Sequence, residues 1–204
     1  MLPNNYSGKF IVFEGLDGSG QTTQVELLKE FLEKKQYSVV ATKEPTQDSK
    51  AGLKIKKILT EKIKIDPFEL QKLFAEDRAC HLREIIIPNL KDGKIVISDR
   101  YFFSSFAFGS ADGADLEKII ELNNQFLLPD ICFLLKVSPK ECIKRIEKRG
   151  EPKTLFEEER KLAKVWHFYE IISKRFKCIK IIDGEKPIDD VFNDIKKIIL
   201  RELL

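Results

Sequence analysis

The sequence predicts an α/β protein with a five-stranded parallel sheet wrapped by helices. Three observations support this expectation. Five short runs rich in β-branched and aromatic residues, "KFIVFE", "YSVVAT", "KIVISD", "ICFLLKV" and "CIKIID", recur along the chain. The longer stretches between them carry the apolar periodicity of helices, the alternation expected of parallel βαβ units. A glycine-rich turn, "GLDGSG", joins the first run to a helix.

In chain order, residues 9–14 form the first strand and residues 37–42 the second. The run "LKIKKILTEKIKI", residues 53–65, alternates lysine with apolar residues and reads as a solvated helix face. "DPFE" at Asp66 and "SPKE" at Ser138 open helices, each with a capping oxygen, a proline at the first helical position and a glutamate three residues after the cap. Residues 94–99, 131–137 and 178–183 supply the remaining strands. "RGEPKT", residues 149–154, is interrupted by glycine and proline and is the candidate mobile loop. No repeat or low-complexity linker divides the chain, so one domain spanning residues 1–204 is expected.

The chain has 36 basic and 33 acidic residues for a net charge of +3, and 43% of it is hydrophobic. Basic residues do not cluster with aromatics, which argues against nucleic-acid binding. No apolar run reaches the roughly 18 residues of a membrane span, and the start lacks the pattern of a signal peptide, so a cytoplasmic protein is expected. Cys80, Cys132, Cys142 and Cys178 form no C-x-x-C pair and read as buried reduced thiols.

Two motifs carry chemistry. In "FIVFEGLDGSGQTTQ", Gly15, Gly20 and Thr22 fit the P-loop pattern G-x-x-x-x-G-K-[ST], but Gln21 stands where lysine belongs. Such a turn directs backbone N–H groups and a helix N-terminus at phosphate oxygens, and Thr22 offers a hydroxyl to Mg²⁺. In "KIVISDRY", an apolar strand ends in Asp99 and Arg100. Ligands bind beyond the carboxyl ends of strands in open α/β sheets, so Asp99 is placed to hold Mg²⁺ and Arg100 to face the same cleft. His81 and His167 are lone residues on helical stretches and read as surface or packing groups.

These residues resemble the thymidylate kinase family of P-loop nucleoside monophosphate kinases. The likeness covers nearly the whole chain through "FEGLDGSGQTTQ", "KEPT", "LFAEDRACHL", "DRYFFSSFAF", "LNNQFLLPDICFLLKVSP", "RIEKRG" and "IIDGEKPIDDVF". It implies a three-layer α/β/α fold with strand order 2-3-1-4-5, a lid at about residues 149–156, a homodimer, and transfer of a phosphoryl group from ATP to dTMP with Mg²⁺. By the same resemblance, ATP lies on Gly15, Leu16, Asp17, Gly18, Ser19, Gly20, Gln21, Thr22 and Thr23, with Arg145 and Arg149 around the adenine and lid. The dTMP site draws on Asp17 for the sugar 3′-hydroxyl, Glu44 and Pro45 at the thymine side, Phe74 for stacking and Arg78 for the base edge. Arg100 grips the acceptor phosphate, and Ser104, Ser105 and Phe108 test sugar and base. Asp99 and Thr22 serve the metal.

Gln21 keeps two N–H donors but no charge, and a charge-assisted hydrogen bond is worth about 1.5–3 kcal/mol, so its loss predicts a roughly ten- to hundredfold deficit. Compensation is expected from Arg145, Arg149 or Lys153. The lid departs from its family pattern, with Thr154 and Leu155 in place of charged groups and Glu157 kept. Two readings stand: a working kinase with a modified P-loop, or a catalytically weak nucleotide-binding sensor or partner.

Overall fold

The computed structural model describes residues 1–149 and 159–203. The chain runs β1 (Lys9–Gly15), α1 (Gln21–Lys34), β2 (Val39–Lys43), α2 (Lys50–Thr60), α3 (Pro67–His81), a π-helical turn (Leu82–Ile86) and α4 (Ile87–Lys91). It continues through β3 (Ile95–Asp99), α5 (Phe102–Ala111), α6 (Leu116–Leu122), β4 (Ile131–Lys136), α7 (Pro139–Arg149), α8 (Glu159–Arg175), β5 (Ile179–Asp183) and α9 (Ile188–Glu202). The five strands are parallel in the order β2-β3-β1-β4-β5, as the resemblance implied.

β1 lies at the centre, so both its faces are covered and its side chains divide by the two-residue period of a strand. Phe10 and Val12 pack with residues of α5 and α8, while Ile11 and Phe13 pack with residues of α1 and α9. Glu14 is in phase with Phe10 and Val12. The strand period therefore drives a carboxylate into the α5 and α8 layer, where it is fully buried.

The helices follow their sequence signals. Asp66 caps α3, its Oδ1 accepting from the N–H groups of Phe68 at 2.9 Å and Glu69 at 3.1 Å, with Pro67 opening the helix. The π turn comes just before Pro88, whose ring and missing N–H disfavour an ordinary α turn there. In α2, Ile55 and Ile58 are buried while Lys54, Lys56 and Lys57 are exposed, so the lysines do form a solvated face. That helix stops at Thr60, before the run of alternating lysines ends. All four cysteines are free, but only Cys132 and Cys142 are fully buried; Cys80 and Cys178 keep partial exposure because each lies near the end of its element or just before it. Among the described residues no helix is long and apolar enough to cross a membrane.

Asp66→Ala is expected to cost about 1 kcal/mol of stability, read as a lower urea midpoint, and Asp66→Ser to recover most of it.

Candidate functional site

The carboxyl ends of β1, β2 and β3 open on a cavity of about 700 Å³. Its floor is the glycine-rich turn. Gly18 has φ 84°, and a Cβ there would sit 2.6 Å from the Cys142 carbonyl oxygen, so glycine is what lets the turn pack against α7. Leu16 contributes backbone only, because its side chain is in the core. Gly20 caps α1 without a side chain, which leaves the helix N-terminus open toward the cavity.

Gln21 opens α1 and is buried. Its Nε2 donates to the Gly15 carbonyl at 3.1 Å, and its Oε1 accepts from Ser19 Oγ at 3.1 Å and from Arg100 Nη2 at 3.4 Å. Thr22 Oγ1 donates to Asp99 Oδ2 at 2.6 Å, which brings together the two residues expected to serve a metal. Lys43, in register with Asp99 on the neighbouring strand, places its Nζ 3.5 Å from the same oxygen. Sequence reasoning gave Lys43 no role, although it begins the "KEPT" motif.

Arg100 is held in a left-handed backbone conformation, φ 74°, uncommon for any residue but glycine. Its N–H donates to the Phe13 carbonyl at 2.9 Å, and Ser98 Oγ donates to its carbonyl at 2.7 Å. Nη1 donates to the Gly15 carbonyl and to Ser104 Oγ, both at 3.0 Å, and Nη2 to Asp17 Oδ1 at 2.6 Å. The guanidinium carbon lies 5.3 Å from the Phe108 ring centroid. Burial works against the charge, but Asp17, with Glu14 and Asp99 nearby, holds the Arg100 pKa above its ordinary value.

Below Arg100 lies Glu14, which sequence reasoning missed. It accepts from the N–H groups of Tyr101 at 2.9 Å and Ser104 at 3.1 Å, from Ser104 Oγ at 2.5 Å and from the Tyr169 hydroxyl at 2.9 Å. Burial pushes its carboxyl from the ordinary 4.5 up to about 7, against the opposing pull of Arg100 and these donors. The available signal was a glutamate closing an otherwise apolar strand.

At the far end of the cavity, α3 presents Phe74 and Arg78 one turn apart. Arg78 is buried. Its Nε donates to Glu44 Oε2 at 2.8 Å, Nη1 to Asn123 Oδ1 at 2.6 Å and Nη2 to Ser105 Oγ at 3.3 Å. The other Glu44 oxygen meets His81 Nδ1 at 3.1 Å, and His81 Nε2 lies 2.6 Å from Thr42 Oγ1. His81 is thus a buried member of a polar network behind the cavity and not a surface residue, whereas His167 is exposed. Pro45 lines the cavity. Asp77 holds the loop that follows it, accepting from the Thr46 N–H at 2.8 Å and from Ser49 Oγ at 2.5 Å.

A second cavity, about 600 Å³, lies on the other side of the turn and shares Gly18, Gly20 and Thr23 with the first. Arg145 lines it. Its Nε donates to Glu141 at 3.0 Å, its Nη groups reach the Gly184 carbonyl at 3.2 Å, and Nη1 reaches the Ser19 carbonyl at 3.5 Å. The cation against Gln21 is therefore Arg100, while Arg145 is engaged on the opposite side. The Arg149 side chain, Lys153, Thr154, Leu155 and Glu157 lie outside the described residues.

A family model described as "Thymidylate kinase" matches residues 13–195. The chain is 43% identical over 205 residues to a "Probable thymidylate kinase" of Pyrococcus horikoshii, covering 97% of this chain and 98% of that protein. It is 42% identical over 203 residues to a "Probable thymidylate kinase" of Thermococcus onnurineus, with 96% and 98% covered. A "Thymidylate kinase" of Caldicellulosiruptor saccharolyticus is 37% identical over 198 residues, with 94% and 96% covered.

Two outcomes are expected from this geometry. Arg78→Ala removes the guanidinium partner of the buried Glu44 side chain and should lower stability by about 3–5 kcal/mol in urea denaturation, with Glu44→Gln in the same chain restoring part of the loss. Glu14 binds its proton more tightly in the folded protein, at about 7, than in an unfolded chain near 4.5. Relative to Glu14→Gln, the stability it contributes is complete below about pH 4.5, falls as pH rises through 7 and is absent above, a change of order 3 kcal/mol. Denaturation curves of both proteins from pH 4 to about 8.5 read this difference; parallel curves would refute it.

Proposed function

The chain belongs to the thymidylate kinase family, and we propose that it transfers the γ-phosphoryl group of ATP to dTMP, giving dTDP and ADP. The observation that carries this reading is one cavity with Gln21, Thr22, Asp99 and Arg100 at one end and Phe74 and Arg78 at the other. A nucleoside monophosphate has the same two-ended chemistry, an apolar base face and a charged phosphate. The second cavity meets the first at the glycine-rich turn, which suits a donor nucleotide that delivers its terminal phosphate there.

The side chains fit a divalent ion. Thr22 and Asp99 bring two hard oxygens within 2.6 Å of one another. Among the described residues no group of three or more His, Cys, Asp or Glu side chains could enclose a metal. Mg²⁺ is commonly held by one or two protein oxygens, with water and phosphate completing its shell, and this pair matches that habit. When bound, Mg²⁺ would neutralise phosphate charge.

The remaining work falls to the chain. The open N-terminus of α1 receives donor phosphate oxygens. Arg100, kept charged by Asp17, neutralises and orients the acceptor phosphate. Phe74 and Phe108 supply apolar surface for the base. Asp17, at the mouth of the same pocket, suits the sugar hydroxyl. The acceptor phosphate, with its second pKa of about 6, is largely dianionic at neutral pH and needs no general base. Positioning and charge neutralisation are what phosphoryl transfer requires of a protein.

The sensor reading finds no support in the relatives or in the geometry, since a module that only binds would not need paired metal oxygens beside an acceptor-phosphate arginine. A single domain, a lid at residues 149–156 and a homodimer belong to the same proposal; sedimentation equilibrium reads the last.

Purified protein with ATP and Mg²⁺ is expected to form ADP and dTDP from dTMP in preference to other monophosphates. Arg100→Ala should lower kcat by roughly 10³-fold or more, the scale of a lost arginine finger, while His167→Ala leaves it unchanged. No dTDP from any monophosphate panel containing dTMP would overturn the reading.

A further inference from the structure

Gln71 is on the cavity-facing side of α3, three residues before Phe74 and seven before Arg78. It is only 3% exposed, and its Oε1 is buried without a hydrogen-bond partner among the described residues. A buried carboxamide oxygen left in that state has lost its hydration without gaining a partner, which is unfavourable. A second costly feature faces it. Gly109 sits inside α5, where glycine is less favourable than alanine, and a Cβ there would come within 2.8 Å of Gln71 Cγ and Cδ. Two unfavourable choices on facing helices thus combine to keep one amide at the wall of the cavity.

We propose that Gln71 reads the base of the acceptor nucleotide by accepting a hydrogen bond from the thymine N3–H. The inference rests on the reading that this cavity takes dTMP. The edge of thymine presents two carbonyl oxygens and one N–H donor. Arg78 offers donors only and can serve a carbonyl. The donor needs an acceptor. Both Glu44 oxygens are engaged by Arg78 and His81, and Ser105 Oγ by Arg78. Tyr101 also lines the cavity, its hydroxyl without a partner among the described residues, but that hydroxyl can donate to a thymine carbonyl, whereas a carboxamide oxygen only accepts. Gln71 Oε1 has its capacity free. Cytosine has an acceptor at N3 and an amino group where thymine has a carbonyl, so turning the amide to suit its N3 would still leave that amino group facing a guanidinium. Gln71 and Arg78 together therefore select imide bases.

The test uses Gln71→Leu and the near-isosteric Gln71→Met, with dTMP and N3-methyl-dTMP as probes in titration calorimetry. Each variant is expected to bind dTMP about tenfold more weakly and to lose most of the wild-type preference for dTMP over the methylated probe. Removing the unpartnered amide should also raise the melting temperature of the nucleotide-free protein, the opposite of what a structural role predicts. Unchanged dTMP affinity, or an unchanged preference between the probes, in a folded variant overturns the inference. Absence of dTMP binding by the wild-type protein overturns the reading of the cavity itself, and is distinguished because it is seen without any substitution.

Discussion

The carboxyl edge of the sheet is organised around one guanidinium. Arg100 links the glycine-rich turn to α5 through the Gly15 carbonyl, Asp17 and Ser104, and it does so from a backbone conformation that costs of order 1–3 kcal/mol. The strain persists because its N–H and carbonyl are both fixed, by Phe13 and Ser98. Glu14 completes the support from below. It fixes the Ser104 hydroxyl that Arg100 reaches, and it lies there because the strand period leaves a residue in phase with Phe10 and Val12 no other direction. A largely enclosed guanidinium and a fully buried carboxyl thus meet through one serine.

The other end of the cavity depends on a single helix. From α3 come Gln71, Phe74, Asp77, Arg78 and His81, and four of these five are polar yet buried. A helix that turns so much polarity inward is not stabilised by a clean apolar stripe and needs compensating partners. Glu44, Asn123 and Ser105 supply them to Arg78, Thr46 and Ser49 to Asp77, and Thr42 to His81. Gln71 is the exception.

What could be read in the sequence follows the range of the forces involved. The five strands, the Asp66 cap and the glycine-rich turn between β1 and α1 were legible because each is written in a few consecutive residues. The pairing of Thr22 with Asp99 was foreseeable from two strand-end motifs. The ion pair of Arg78 with Glu44 was not, because it forms only when the end of β2 and the middle of α3 are packed side by side, and the same packing decides that His81, which read as a surface or packing group, is buried. Arg145 drew attention by its closeness in sequence to a glycine- and proline-containing segment. The cation that meets Gln21 stands 79 positions away and is brought there by the pairing of β1 with β3.

That pairing bears on the missing P-loop lysine. Two like charges about 4 Å apart repel by about 4 kcal/mol at an effective dielectric of 20, so an ammonium at position 21 would compete with Arg100 for the space beside Gly15. A neutral amide removes the conflict. Its oxygen accepts from Arg100 while its nitrogen takes the Gly15 carbonyl, and the turn becomes braced by its own side chains before any phosphate arrives. The loss is the attraction that a second cation would exert on a bound phosphate, about 1.5–3 kcal/mol for one charge-assisted hydrogen bond. The gain is an arginine already set against Asp17 with little left to reorganise. Under the proposed function, the positive charge for transfer is carried at the end of β3, by Arg100, with Lys43 beside Asp99 on the neighbouring strand, and no longer at the start of α1.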